Sequence, residues 1–185
     1  MKIVLIAGTW YRKKAYESIW RHLRRSLEER YPGVEIVAES VWYQPWEIEK
    51  ISAFNESILK KYDTGEDLVL IGHSMGGITA CGIAPKFKMS RVLCIATIFS
   101  PHTLGRWIPF LNFTKQLFPE SLPLKTTMLS FGGLFDPLVW SFFTKHPKAV
   151  HHEVLPSDHR FILGWNPSLG EHIAKVIRNY VEPIY

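Results

Sequence analysis

The stretch "DLVLIGHSMGGITACGIA" at residues 67–84 places one serine, Ser74, between two glycines in the pattern Gly72-His73-Ser74-Met75-Gly76. An apolar, strand-like run ends there and a helical pattern resumes at once. A serine in such a corner is either a structural turn or a nucleophile held out for attack. The steric logic favours the second reading. The corner forces Ser74 into a strained backbone, and side chains at 72 and 76 would collide with each other or with the adjoining strand and helix. The hydroxyl then stands above the strand end, while the N-terminus of the next helix offers backbone N–H groups and the positive end of its dipole to a developing oxyanion. A serine hydroxyl is a poor nucleophile at neutral pH, so this chemistry also requires a base and a carboxylate to orient it.

The elements that would position those groups are legible as alternating short apolar runs and helical patterns. The runs fall at 2–7, 34–38, 67–72, 91–98, 125–131 and 149–154. Between them Tyr16, Ile19, Trp20, Leu23 and Leu27 recur at helical spacing, as do Ile48, Ile51, Ile58 and Tyr62, and then Leu169, Ile173, Val176, Ile177 and Tyr180. The last helix has two candidate starts, Asn166 capping ahead of Pro167 or a box from Ser168 to Glu171. Strands alternating with helices imply parallel pairing through right-handed crossovers. The predicted fold is therefore α/β, a predominantly parallel six-stranded sheet with helices on both faces, forming a single domain over 1–185. In such sheets ligands gather at the carboxyl ends of the strands, where Ser74 falls.

The G-x-S-x-G corner between a strand and a helix resembles that of the α/β-hydrolase family, in the minimal form of its smallest lipases and esterases, and the resemblance covers nearly the whole chain. The family's chain order of nucleophile, acid and base implies Ser74, Asp136 in "SFGGLFDPLV" and His159 in "LPSDHRFIL". Asp136 follows the fifth predicted strand and His159 the sixth, so both fall on loops at the sheet edge that carries Ser74. The resemblance further implies an oxyanion hole made by the amide of Met75 and a second amide after the first strand. That second donor is Thr9 in "AGTW", with Trp10 as the neighbouring candidate. Asp158 and Glu153 are rival carboxylates. Asp158 adjoins His159, and adjacent side chains usually diverge.

Other residues have quieter readings. His73 should point off Ser74 by strand alternation and pack behind the corner. His151 and His152 precede Glu153 but alternate between faces, which argues against a metal site. Gly8 belongs to no phosphate-binding fingerprint, and no cofactor is expected. Residues 101–124, "PHTLGRWIPFLNFTKQLFPESLPL", are apolar without a clean period. They read as a small lid or acyl-binding wall, with Trp107 and Phe110 (and Trp10) as pocket residues, or alternatively as core; His102, just past the fourth run, reads as a pocket residue or a surface one.

Composition excludes some classes. The 46% hydrophobic content is that of a globular chain, and no run of about 18 uncharged apolar residues could span a bilayer. The start "MKIVLIAGTW" is too short for a secretory segment and reads as a first strand, which points to the cytoplasm. Cys81 and Cys94 sit in apolar runs and are expected to be reduced. The net charge of +5 is scattered apart from 12–14 and 21–25, clusters that suit the solvated face of one helix. No nucleic-acid motif is present, and only weak contact with an anionic membrane surface is expected. The expected activity is cleavage of a carboxylic ester with an apolar acyl part. Thioester or amide cleavage by the same triad, and a hydrolase-like binding protein without catalysis, are the alternatives.

Overall fold

The computed structural model describes residues 1–8, 13–42, 44, 47–101, 123, 125–139, 141–158 and 166–181. Six strands, β1 (Lys2–Ile6), β2 (Glu35–Glu39), β3 (Asp67–His73), β4 (Arg91–Ile98), β5 (Thr127–Gly133) and β6 (His151–Leu155), form one sheet in the order β2-β1-β3-β4-β5-β6. Every neighbouring pair is parallel. Among the described residues four α-helices accompany them: α1 (Lys13–Arg30), α2 (Ile48–Tyr62), α3 (Met75–Ile83) and α4 (Pro167–Val181).

Strand alternation divides the core into two layers. Ile3 and Leu5 of β1 and Val69 and Ile71 of β3 face α1 and α4, where they join Trp20, Leu23, Leu27, Ile173 and Ile177. The intervening Val4, Ile6, Leu68 and Leu70 face α2 and α3 with Ile51, Phe54 and Ile58. Both faces are thus covered, which is why these strands read as continuous apolar runs. The predicted face of α2 is buried at Ile51, Ile58 and Tyr62 but not at Ile48, which is exposed at the start of the helix. That of α4 is buried at Leu169, Ile173, Val176 and Ile177 with Tyr180 partly covered, and that of α1 at Trp20, Leu23 and Leu27, while the side chains of Tyr16 and Ile19 lie outside the described residues. On the other face of α1, Arg24 pairs with Glu28 and Arg25 with Glu29, the solvated arrangement expected of that basic cluster.

The order of the strands sets the position of the site. The chain leaves β1 towards β2 on one side and leaves β3 towards β4 on the other, so the crevice between the carboxyl ends of β1 and β3 is the topological switch point of the sheet. The bounds of β1, β2 and β3 differ from the sequence expectation by one residue, and two strands shift further. β5 runs from 127 to 133 rather than 125 to 131, because Lys125 turns through a left-handed φ of 68° and Gly132 and Gly133 continue the strand. β6 begins at His151, two residues late, after the Val150 amide has bonded the Met128 carbonyl at 2.9 Å. At α4 the Asn166 alternative holds: its Oδ1 accepts the Ser168 N–H at 3.1 Å, with Pro167 as first helical residue.

Gly170 in α4 lies against the backbone of α1, where an added Cβ would stand 2.8 Å from the Leu23 nitrogen and 2.9 Å from the His22 carbonyl carbon. Alanine normally stabilises a helix interior by about 1 kcal/mol over glycine. Here Gly170→Ala is expected to destabilise by about 1–3 kcal/mol, because the methyl forces the helices apart. Urea unfolding measures the sign directly, and a gain in stability would contradict this packing.

Candidate active site

Ser74 links β3 to α3 with φ 54° and ψ −125°, a conformation that a side-chain-bearing residue adopts only when its surroundings impose it. The surroundings do so by close approach. A Cβ on Gly72 would overlap the Gly76 carbonyl oxygen and the Gly77 backbone, and one on Gly76 would overlap the carbonyls of Ile6 and Ala7. A Cβ on Gly77 would meet the Ser100 side chain. The Ser74 amide donates to the Ile98 carbonyl at 2.8 Å, which ties the corner to β4, and its side chain makes no capping bond to the helix it precedes. Met75, the first residue of α3, follows directly.

Across the switch point, Gly8 at the end of β1 is pressed against this corner. A Cβ there would lie 2.9 Å from Ser74 Cβ, 3.0 Å from the His73 carbonyl and 3.4 Å from the Met75 nitrogen. The chain segment leading to Thr9 and Trp10 therefore starts beside Ser74 and the Met75 amide. Thr9 and Trp10 themselves lie outside the described residues.

Asp136 is buried on the loop after β5, and its Oδ1 accepts the amides of Leu138 at 2.8 Å and Val139 at 2.8 Å, which fixes the carboxylate on its own turn. The loops after β5 and β6 are stitched together: the Leu134 N–H donates to the Leu155 carbonyl at 2.8 Å and the Phe135 N–H to the Ser157 carbonyl at 3.0 Å. Gly133 permits this contact, since a Cβ there would stand 2.6 Å from the Ser157 oxygen and 3.2 Å from Asp136 Cβ. The chain thus passes beside the Asp136 loop two residues before His159. His159 lies outside the described residues, as do His102, Trp107 and Phe110. Leu134, Phe135 and Leu138, which flank Asp136, are each more than half exposed, at 59%, 65% and 55%.

Of the rival carboxylates, Glu153 is occupied elsewhere, as are several histidines. Glu153 accepts His172 Nε2 of α4 at 2.8 Å and lies 3.4 Å from His151 Nε2. Burial raises its pKa, but the bonds and charges of His172 and His151 outweigh that and hold it below the ordinary value. His151 and His152 do face apart: His151 packs beside Phe131 and Tyr180, while His152 Nδ1 is 2.9 Å from Ser130 Oγ. His146 is buried, accepts the Lys148 amide, and is pushed down to about 4 by burial and then by the Lys148 charge. His73 is fully buried edge-on between Trp20 at 6.2 Å and Phe99 at 6.1 Å, packing behind the corner. Cys81 and Cys94 are free and buried, which pushes each thiol up to about 12.

Two participants escaped the sequence reading. Gly77 and Gly133 are as constrained as the motif glycines, and the only signal for them was the doubled glycine in "MGGIT" and "FGGLF".

Comparison with known proteins bears on the fold. The model of the PGAP1-like alpha/beta domain matches residues 47–118, a span that begins just before α2 and includes the Ser74 corner and β4. Curated proteins give no match. Among solved structures, a YdeN-like hydrolase from Pectobacterium atrosepticum superposes with a TM-score of 0.66 at 18% identity, covering 99% of this chain and 91% of its own. A lipase-esterase related protein from Clostridium acetobutylicum gives 0.64 at 11% identity, with 97% and 94% covered. A methylesterase from Arabidopsis gives 0.63 at 12%, with 97% and 100% covered. The chain has the α/β-hydrolase fold. No helix among the described residues is long and apolar enough to cross a membrane.

The Glu153 cluster generates a test with a definite sign. A carboxylate whose folded pKa is lowered contributes stability that is full above its ordinary value of 4.5 and is lost as pH falls through the lowered value. Glu153→Gln should therefore lower the melting temperature at pH 6, the deficit should shrink as pH falls from the ordinary value of 4.5 through the lowered one, and ester hydrolysis should persist. Loss of hydrolysis without loss of stability would return Glu153 to the list of candidate acids.

Proposed function

We propose that the protein is a serine hydrolase that cleaves carboxylic esters with an apolar acyl part. The observation that carries this reading is the strained corner at Ser74, which stands at the switch point of the sheet with an uncapped side chain and the Met75 amide next to it. Ser74 Oγ attacks the acyl carbon while His159 takes its proton, and the amides of Met75 and Thr9 receive the oxyanion. The intermediate collapses, the alcohol leaves with the proton from His159, and Ser74 remains acylated. Water then gives a proton to His159 and attacks the acyl carbon; the acid departs and the proton returns to Ser74. Asp136 holds the imidazole in the required tautomer.

Several features support the assignment of acid and base. Asp136 is buried and oriented on the loop that is hydrogen-bonded to Ser157. Of the described histidines, those at 73, 146, 151, 152 and 172 are engaged elsewhere, and His22 lies on α1 against Gly170 of α4. The exposed Leu134, Phe135 and Leu138 beside Asp136 support an apolar substrate, as do the aromatic residues of 101–124 if they form a wall with Trp107 and Phe110. The esterases among the structures with the same fold support an ester over a thioester or amide. A small-molecule or lipid-like ester is the proposed partner.

A fluorophosphonate probe should label Ser74 alone, as read by mass spectrometry of the digested adduct; labelling that survives Ser74→Ala would sink the assignment. Asp136→Asn should lower kcat by about 10,000-fold through the wrong imidazole tautomer, whereas Asp158→Asn should cost far less. The reverse ranking would make Asp158 the acid. Across a series of ester chain lengths, kcat/KM should rise several-fold per methylene, at about 0.8 kcal/mol each. Phe135→Ala should flatten that rise while sparing acetate esters, and an unchanged profile would remove Phe135 from the substrate path.

A further inference from the structure

Three residues other than glycine hold positive φ among the described residues: Ser74 at 54°, Phe99 at 52° and Lys125 at 68°. Lys125 occupies an exposed turn ahead of β5. Phe99 is a different case, because it is fully buried directly after β4, and a bulky side chain takes the left-handed region only under constraint. Strand alternation would send Phe99 to the face opposite Ile98. The left-handed turn instead puts both residues in the core layer of α1 and α4.

That turn brings the ring between the two halves of the site. On one side it packs edge-on against His73, the residue before Ser74, with centroids 6.1 Å apart and planes at 79°. On the other side the ring edge and Asp136 Cβ lie 3.0 and 3.2 Å from the same point, the place a Cβ on Gly133 would occupy. The Ile98–Phe99 peptide adds a second link. Its carbonyl accepts the Ser74 amide at 2.8 Å, and its N–H donates to the Phe131 carbonyl of β5 at 2.8 Å. Ser100, next in the chain and fully buried, fills the space left open by Gly77 on the far side of the corner.

We propose that Phe99 is a positioning residue for acyl transfer, its left-handed turn wedging the ring between the Ser74 strand end and the Asp136 loop so that the separation of nucleophile and acid is fixed. The proposal rests on the reading of Ser74 and Asp136 as that pair. One imidazole must reach both groups, and a displacement of about 1 Å can cost a hundredfold in rate. A rigid ring held by a strained backbone fixes that gap, whereas a flexible aliphatic side chain would let the two loops shift independently.

The test uses the full chain with p-nitrophenyl butyrate, with active sites counted by fluorophosphonate titration. Phe99→Leu and Phe99→Met keep the apolar bulk, and Gly133→Ala presses a methyl on the same ring edge and on the Ser157 carbonyl beside it. All three should lower kcat per titrated site at least tenfold, leave KM within twofold, and move the acidic limb of the kcat/KM profile as the carboxylate–imidazole geometry changes. Lys125→Gly, which relaxes the left-handed residue away from the site, should keep the parental kcat and profile. The proposal is overturned if the folded variants at 99 and 133 show parental kcat and pH profiles per titrated site, whatever their melting temperatures, or if none of the three yields any folded protein, which would make the role purely structural. A parent chain that is neither labelled at Ser74 nor active on the ester would overturn the hydrolase reading itself, and the proposal with it. That result is distinct from an active parent whose variants are unchanged.

Discussion

The backbone of Ser74, at φ 54° and ψ −125°, is the constraint on which the rest of the structure turns. Such a conformation costs on the order of 1–3 kcal/mol in an L residue and persists only where neighbours over-determine it. Here the neighbours are backbone. Gly72 and Gly76 let β3, α3 and the end of β1 approach so closely that no Cβ fits between them. The Ser74 amide is bonded to β4. The corner therefore cannot relax without separating three central elements of the sheet, and the hydroxyl is presented at the strand end as a consequence of packing.

The sheet order then determines what else can reach that hydroxyl. Because the connections leave β1 and β3 in opposite directions, a crevice opens between their carboxyl ends, and the chain after β1 runs into the corner at Gly8. The loops after β5 and β6 are bound to each other at Leu134–Leu155 and Phe135–Ser157, so they behave as one rim carrying Asp136. The two layers beneath, built on Trp20, Leu23 and Ile173 on one face and Ile51, Phe54 and Ile58 on the other, supply the burial that outweighs the strain.

Much of this was legible in the chain itself. The strand–corner–helix at 67–84 announces itself because glycine spacing and the change of hydrophobic period coincide at Ser74. Helix faces were legible for the same reason, since Leu23, Leu27, Ile58 and Ile173 repeat with the helical period. The start of β5 was not, because Lys125 and Thr126 look like strand residues while the turn at Lys125 is decided by its φ of 68°. Nor was the placement of Phe99: an aromatic at the end of an apolar run looks like ordinary core, and only the backbone reveals that it faces the same layer as Ile98. The contact between the Asp136 loop and Ser157 is a tertiary pairing with no local signature in sequence, even though the order of Asp136 and His159 along the chain was read from it.

The account stands or falls on whether Ser74 becomes covalently acylated during turnover. Rapid mixing of the protein with a p-nitrophenyl ester, acid quenching and mass spectrometry of the digest measure this directly. The expected result is a burst of nitrophenol close to one equivalent per chain, with the acyl mass carried by the peptide containing Ser74 and absent from Ser74→Ala. Steady hydrolysis with no acyl adduct at Ser74, or hydrolysis at the parental rate in Ser74→Ala, would contradict it.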